Sequence, residues 1–384
     1  MKKTTLVTLA MRVLLLFPIF TTLSFIPGTN TFLSALSLAI VAVLVFKKGI
    51  STKAFFLLVA ALVSTALNLF ITDGKIINVN EAIYLGYMCV FFALLIDNKQ
   101  QIKQYFLEDS RFVQGICLLW GLLVLISIPL RTSWTSSGAF ISFSGDSFRL
   151  SPSALCIMIL STLLIVTQGK KNIIYSFVPI IAILLGVSRT YLLLGCLCFA
   201  INFYFVIQKK TRYFLFLFVM AALCIVVVFS SSMGEKILNS FSENDYLSPL
   251  AVFTSGRSNF WARDWEAYLE QPLFNQLLGS GFNFVRDVNG AYTGESQGIW
   301  AHNDFLQVVI TNGVFGFGIY MYAINWLFRS YMSRKIPRLL RWAVVLVWLF
   351  NAFFNMYYVY ICAMISLPIL LLAVEIGCNE RYKM

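Results

Sequence analysis

The stretch FLQVVITNGVFGFGIYMYAINWLF, residues 305–328, runs for 24 residues without a charged side chain. A helix of that length extends about 36 Å, enough to cross a hydrocarbon layer of about 30 Å. In that solvent the backbone must satisfy its own hydrogen bonds, so a run this long is predicted to be a membrane helix. Working outward, comparable apolar runs occupy Leu6–Phe25, Phe32–Phe46, Ala54–Ile71, Ala82–Ile96, Phe112–Leu130 and Ser153–Val166. They continue over Ile173–Val187, Tyr191–Val206, Tyr213–Phe229, Trp342–Phe354 and Tyr358–Ala373, the last two divided at Asn355. The expected fold is an all-α polytopic membrane protein of about 12 transmembrane helices, a single integral membrane domain over residues 1–384.

Composition agrees. Of 384 residues 59% are apolar and 12% charged, and the mean hydropathy is +0.80, whereas soluble domains carry about 25% charged residues. Lys2 and Lys3 before the first apolar run imitate a secretory signal, but no small-residue cleavage site precedes Pro27 and Gly28, so an uncleaved first helix is expected. The net charge of +12 is sorted by side rather than gathered for an anionic polymer, which argues against a nucleic-acid binder. With an inner N-terminus and an even number of crossings, the inner segments hold 21 of the 29 Lys and Arg and five of the 17 acids. Both termini are therefore expected on the cytoplasmic side.

The eight cysteines offer no metal-ligand spacing: seven fall within apolar runs, and a single histidine is available to help. No metal and no cofactor is expected.

Two outer loops stand out, one at 131–152 and a much longer one at 230–302. The longer loop carries Phe253, Phe260, Trp261, Trp265, Tyr268, Phe274, Phe282 and Phe284, enough apolar surface to fold. Trp261, Trp265 and Tyr268 recur at helical spacing, so an amphipathic helix near 258–271 is expected to lie along the membrane, its indoles anchoring it or touching ligand. Gly279, Ser280 and Gly281 then read as a turn. Gly313, Gly316 and Gly318 are expected inside a continuous helix, where small residues permit close helix packing.

Arginines are scarce on this outer side, and each needs a partner. Arg189 sits in Ser188-Arg189-Thr190 between two apolar runs, where an ionisable group is by default a functional hypothesis. Arg257 follows Gly256 in Thr254-Ser255-Gly256-Arg257. A guanidinium donates two parallel hydrogen bonds to an oxyanion, so Arg149, Arg189, Arg257 and Arg263 form a candidate pyrophosphate clamp. For Arg149 and Arg263 a loop salt bridge is the equal alternative. His302 lies in Trp300-Ala301-His302-Asn303-Asp304, at the mouth of the 305–328 run. Asn303 or Asp304 can cap that helix, and a histidine at its positive end is biased toward the neutral form that accepts a proton. Base and cap both remain open for His302.

These features together resemble the O-antigen polymerase and ligase superfamily, and within it the Wzy-type polymerases. The resemblance rests on Phe148-Arg149-Leu150-Ser151, Ser188-Arg189-Thr190, Thr254-Ser255-Gly256-Arg257 with Trp261, and His302-Asn303-Asp304-Phe305-Leu306-Gln307 with Gly313 and Gly316. It implies a GT-C type, metal-independent inverting glycosyltransferase of the bacterial inner membrane, acting on the periplasmic side in lipopolysaccharide biosynthesis. Its substrates would be undecaprenyl-pyrophosphate-linked oligosaccharides, with membrane lipids and a chain-length regulator protein as partners. His302, Arg257 and Arg189 would be catalytic; Trp261, Trp265, Asn303 and Asp304 would contact substrate or lipid. The sister ligase activity, transfer to lipid A core, shares the donor site. A twelve-span transporter or flippase is the alternative from another class.

Overall fold

The computed structural model describes residues 6–23, 28–71, 83–108, 110–136, 138–207, 209–229, 256–294 and 298–381. The first part of the long loop, 230–255, including Phe253, Thr254 and Ser255, lies outside them. All regular elements among the described residues are helical, apart from one isolated bridge between Trp134 and Phe140.

The helices are α1 (Leu6–Thr22), α2 (Thr29–Lys48), α3 (Thr52–Ile71), α4 (Tyr84–Asp97), α5 (Lys99–Glu108), α6 (Ser110–Ser127), α7 (Ser147–Gln168) and α8 (Phe177–Leu185). They continue with α9 (Arg189–Val206), α10 (Lys210–Phe229), α11 (Arg257–Leu269), α12 (Leu273–Leu278), α13 (Phe284–Thr293), α14 (Asp304–Tyr331), α15 (Arg338–Phe354) and α16 (Ile361–Arg381). Among the described residues six helices are long and apolar enough to cross a membrane: those within α3, α6, α7, α9, α14 and α16. Four shorter apolar helices among the described residues lie within α1, α2, α4 and α10. The protein is an all-α integral membrane protein; these lengths do not extend the tally of crossings to twelve.

Helices α7 and α16 form the centre. Every residue from Leu150 to Ile165 is buried, and the two helices pack together more extensively than any other pair, with α1 and α9 against α7. A helix apolar all round belongs in the interior, and these two sequences are. Lys99, at the start of α5, staples three helix ends: its Nζ pairs with Glu375 of α16 at 2.6 Å, donates to Ser330 O at 2.7 Å and stands over the Tyr331 ring of α14.

Two expectations change. The run Ile173–Val187 is not one helix, because Lys170–Ser176 forms a 3-10 segment and only Phe177–Leu185 is α-helical. Its polar residues explain this: Ser176 meets Ser161 at 2.8 Å and accepts from Asn202 at 2.7 Å, while Asn172 supplies its carbonyl to Ser161. These buried polar contacts hold the tighter coil against α7 and α9.

The second change is in α14, which breaks at Gly313 (φ 69°, ψ −178°), a conformation open essentially to glycine alone. The freed carbonyls do not remain unpaired. Ser280 N donates to Ile310 O at 2.9 Å and Gly281 N to Thr311 O at 3.3 Å, so the 279–281 turn is docked into the break. Gly316 keeps the expected packing role, lying against Ser64 of α3.

Candidate active site

The residues around His302 are fixed one by one before they form a site. Asn303 caps α14, accepting from Leu306 N at 3.1 Å. Asp304 does not cap. It is fully buried, and its Oδ2 accepts from Tyr320 Oη at 2.8 Å and from Tyr358 N at 3.3 Å. Trp348 Nε1 donates in turn to Tyr320 Oη at 3.4 Å. The start of α14 is thereby tied to α15 and to the Asn355–Tyr360 link before α16.

Ala301 is held from two sides: Trp261 Nε1 donates to its carbonyl at 2.6 Å, and its own N–H donates to Gln307 Oε1 at 3.1 Å. Between these anchors His302 adopts φ 50°, in the left-handed region uncommon for non-glycine residues. Its imidazole stacks on Phe148 with 5.8 Å between ring centroids and 26° between planes. Phe148 N donates to Asp146 Oδ1 at 2.7 Å, the N-cap of α7, so the first outer loop forms one wall beside the histidine. Nδ1 of His302 is buried and has no hydrogen-bond partner among the described residues.

Arg257 opens α11 immediately after Gly256 (φ 82°), and its Nη1 donates to Phe354 O at the end of α15. Burial lowers the Arg257 pKa; Tyr360 and Tyr191 oppose that shift and the Arg189 charge adds to it. The pKa of His302 falls to about 3, first because burial disfavours its charged form and second because of Arg257. Tyr360 is pushed up by burial, with Arg257 and Arg149 both pulling it down. Arg257 is thus within electrostatic reach of Arg189, His302, Tyr191 and Tyr360, and Arg149 is within reach of Tyr360.

Other expected site residues stand elsewhere. The guanidinium of Arg263 lies over the Tyr292 ring, 2.9 Å from its centroid, in contact with α13 rather than with Arg257. Trp261 packs edge-on to Phe353 and braces Ala301, so it faces protein rather than a membrane surface. Trp265 is exposed, tilted against Tyr268. Tyr268, expected on the anchoring face, is 3% exposed and donates to Gln276 O at 2.6 Å. The expected amphipathic helix is present as α11, but its aromatic residues divide between two faces.

Sequence reasoning missed Phe148 as a neighbour of His302, the Tyr320–Asp304 pair, and the run Tyr357-Tyr358-Val359-Tyr360. That dense tyrosine row straight after Asn355 was the available signal. Also missed was Asp264, whose side chain is buried between α11 and α13 near Asn289 (3.4 Å); burial raises its pKa to about 7, with Asn289 opposing.

A family model described as O-antigen ligase matches residues 155–321. Those residues belong to the O-antigen polymerase and ligase superfamily. Members of the superfamily are glycosyl-transfer enzymes that use lipid-linked glycans. The superfamily region runs from within α7 to within α14 and holds Arg189, Arg257 and His302; Phe148, Arg149 and the tyrosine row lie outside it. No curated protein matches the chain.

Proposed function

We propose that the protein is an O-antigen or related polysaccharide polymerase, joining lipid-linked oligosaccharide repeat units on the periplasmic face of the bacterial inner membrane. The observation that carries this reading is Arg257 within electrostatic reach of both Arg189 and His302 inside the superfamily region. In the reaction, a hydroxyl oxygen of the acceptor repeat attacks the anomeric carbon of the donor glycan. The bond from that carbon to the pyrophosphate oxygen breaks with inversion, the hydroxyl proton passes to His302, and undecaprenyl pyrophosphate leaves.

Negative charge grows on the departing diphosphate. Guanidinium groups already in place stabilise it without reorganising, and Arg189 and Arg257 take this role, with Arg149 at the edge. Arg263 is the weaker member, its guanidinium being engaged with Tyr292.

The two charge effects are coupled. In the free protein burial first, and Arg257 second, hold His302 neutral but weakly basic, near pKa 3. A bound diphosphate offsets the Arg257 charge, which raises the basicity of the imidazole when the donor is present. Trp261, Asn303 and Asp304 act by fixing the His302 segment, and Trp265 faces lipid.

The matched family description favours a second reading, the ligase, in which the same donor is transferred to lipid A core. The single histidine near this helix favours the polymerase, because the ligases resembled here often show a pair. Purified protein given a lipid-linked repeat unit, without added metal or nucleotide, tests both. Ladders of glycan on one lipid support polymerisation; transfer only to added lipid A core supports ligation; no glycan transfer with either acceptor overturns the proposal.

A further inference from the structure

The short helix α12, Leu273–Leu278, is built inside out. Its polar residues are half-buried and turn back onto the end of α11: Gln276 donates to Leu269 O at 3.0 Å and to Gln271 O at 2.9 Å, and its carbonyl accepts from Tyr268. Asn275 donates to Gln271 Oε1 at 3.3 Å. Its apolar residues face outward, with Leu273 69%, Phe274 59% and Leu277 46% exposed. In water a helix of this sequence would turn the leucines in and the amides out, so the reversed arrangement points to an apolar surrounding.

A second observation says what that surrounding is. Leu277 and Leu278 share an apolar groove of about 560 Å³ with Phe56 of α3 and with Val314, Phe315 and Tyr322 of α14. Phe56, Val314, Phe315 and Tyr322 are 65%, 52%, 41% and 45% exposed on helices that are long and apolar enough to cross the bilayer. The exposed side of α12 is thus continuous with the lipid-facing surface of the bundle. A third observation fixes the register: the 279–281 turn following α12 is hydrogen-bonded into the break of α14 at Gly313, so α12 cannot lift away independently.

We propose that α12 is a membrane-inserted wedge, with Leu273, Phe274 and Leu277 in contact with lipid hydrocarbon beside the upper part of α14. The wedge and the His302 segment are joined through the same loop: Phe282, one residue beyond the docked turn, packs edge-on to Trp300 at 5.7 Å. Lipid contact at α12 therefore sets the seat of the loop that carries Trp300, Ala301 and His302. Of the three residues expected to anchor α11 at the membrane, Trp261 and Tyr268 pack against protein and Trp265 is exposed, so α12 adds a membrane contact beyond α11.

Thiol accessibility in open membrane fragments tests this directly, because both aqueous sides are then reachable. Leu273→Cys, Phe274→Cys and Leu277→Cys are compared with Glu270→Cys on the exposed end of the preceding helix, with the wild-type chain as background. A charged, membrane-impermeant maleimide should label Glu270→Cys at least tenfold faster than the other three, and all four equally in SDS. Equal rates in membranes overturn the wedge. A nitroxide at Phe274→Cys then identifies the covering. High collision with oxygen and low collision with a water-soluble nickel chelate supports lipid, whereas low collision with both means that protein covers the position, and the proposal fails.

Discussion

The Phe148 ring lies over the His302 imidazole, 5.8 Å between centroids and 26° from parallel, so the start of α7 covers the histidine that precedes α14. The pair joins the first outer loop to the long one. It also contributes to the burial that keeps His302 neutral, with a pKa near 3. His302→Ala is expected to reduce glycan transfer by at least about 100-fold, the range for removing a general base. Phe148→Tyr should keep the stack and most activity. Phe148→Ala should admit water, raise the His302 pKa and move the acid limb of kcat/KM for the donor to higher pH, since only neutral His302 accepts a proton. An unchanged acid limb in Phe148→Ala would show that the stack does not tune the base.

Tyr320 Oη donates at 2.8 Å to a fully buried Asp304 that also holds Tyr358 N. Tyr320→Phe removes one hydroxyl and leaves that carboxyl oxygen short of a donor, a loss of about 1–3 kcal/mol. Thermal unfolding in detergent should show a lower Tm. Asp304→Asn combined with Tyr320→Phe should be less destabilising than the two single effects added together. Additive effects would mean that the two groups do not act as a pair.

Asp264 is buried between α11 and α13 with its pKa raised to about 7. The folded state therefore binds its proton more tightly than the unfolded state, so stability is full below about pH 4 and declines as pH rises from about 4 to 7. The upper bound on that decline is about 4 kcal/mol, one buried carboxyl shifted by about 3 units. Asp264→Asn should raise Tm at pH 8, leave it little changed at pH 4, and flatten its dependence between. A wild-type Tm that instead rises from pH 4 to 8 through this group would reverse the assignment.

Gly313 turns α14 where no side chain fits, against the Leu277 carbonyl and Gly279 N. Gly313→Ala adds backbone strain of about 1–3 kcal/mol and an overpacking term of similar size. Reduced folding yield or a Tm lower by several degrees is expected, whereas Gly318→Ala, with open space around it, should be near neutral. Equal stability of the two variants would remove the docked break from the fold.

The helices, though not the number of crossings, were legible because lipid demands long apolar runs: each of the twelve expected runs coincides with helix over at least part of its length. Asn355 was rightly placed between the last two, as the C-cap of α15. The break at Gly313 was not legible, because its carbonyls are satisfied by Ser280 and Gly281, far away in sequence. The 3-10 segment before α8 was hidden for the same reason, its partners Ser161 and Asn202 lying on other helices. Within the site, residue chemistry singled out Arg189, Arg257 and His302, but spacing carries no information on convergence. It also misjudged Asp304, offered as a possible cap of α14, which is enclosed by tyrosines that follow it by 16 and 54 residues.

The central proposal is that Arg189 and Arg257 serve one diphosphate, and a double-mutant cycle measures it most directly. Transfer from a lipid-linked donor is followed for the wild type, Arg189→Ala, Arg257→Ala and the double variant, with membrane insertion checked in each. Each single change should reduce turnover by about 100-fold or more, and the double variant should be well short of the product of the two losses. Wild-type turnover in either single variant, or losses that multiply fully in the double variant, would contradict a shared diphosphate.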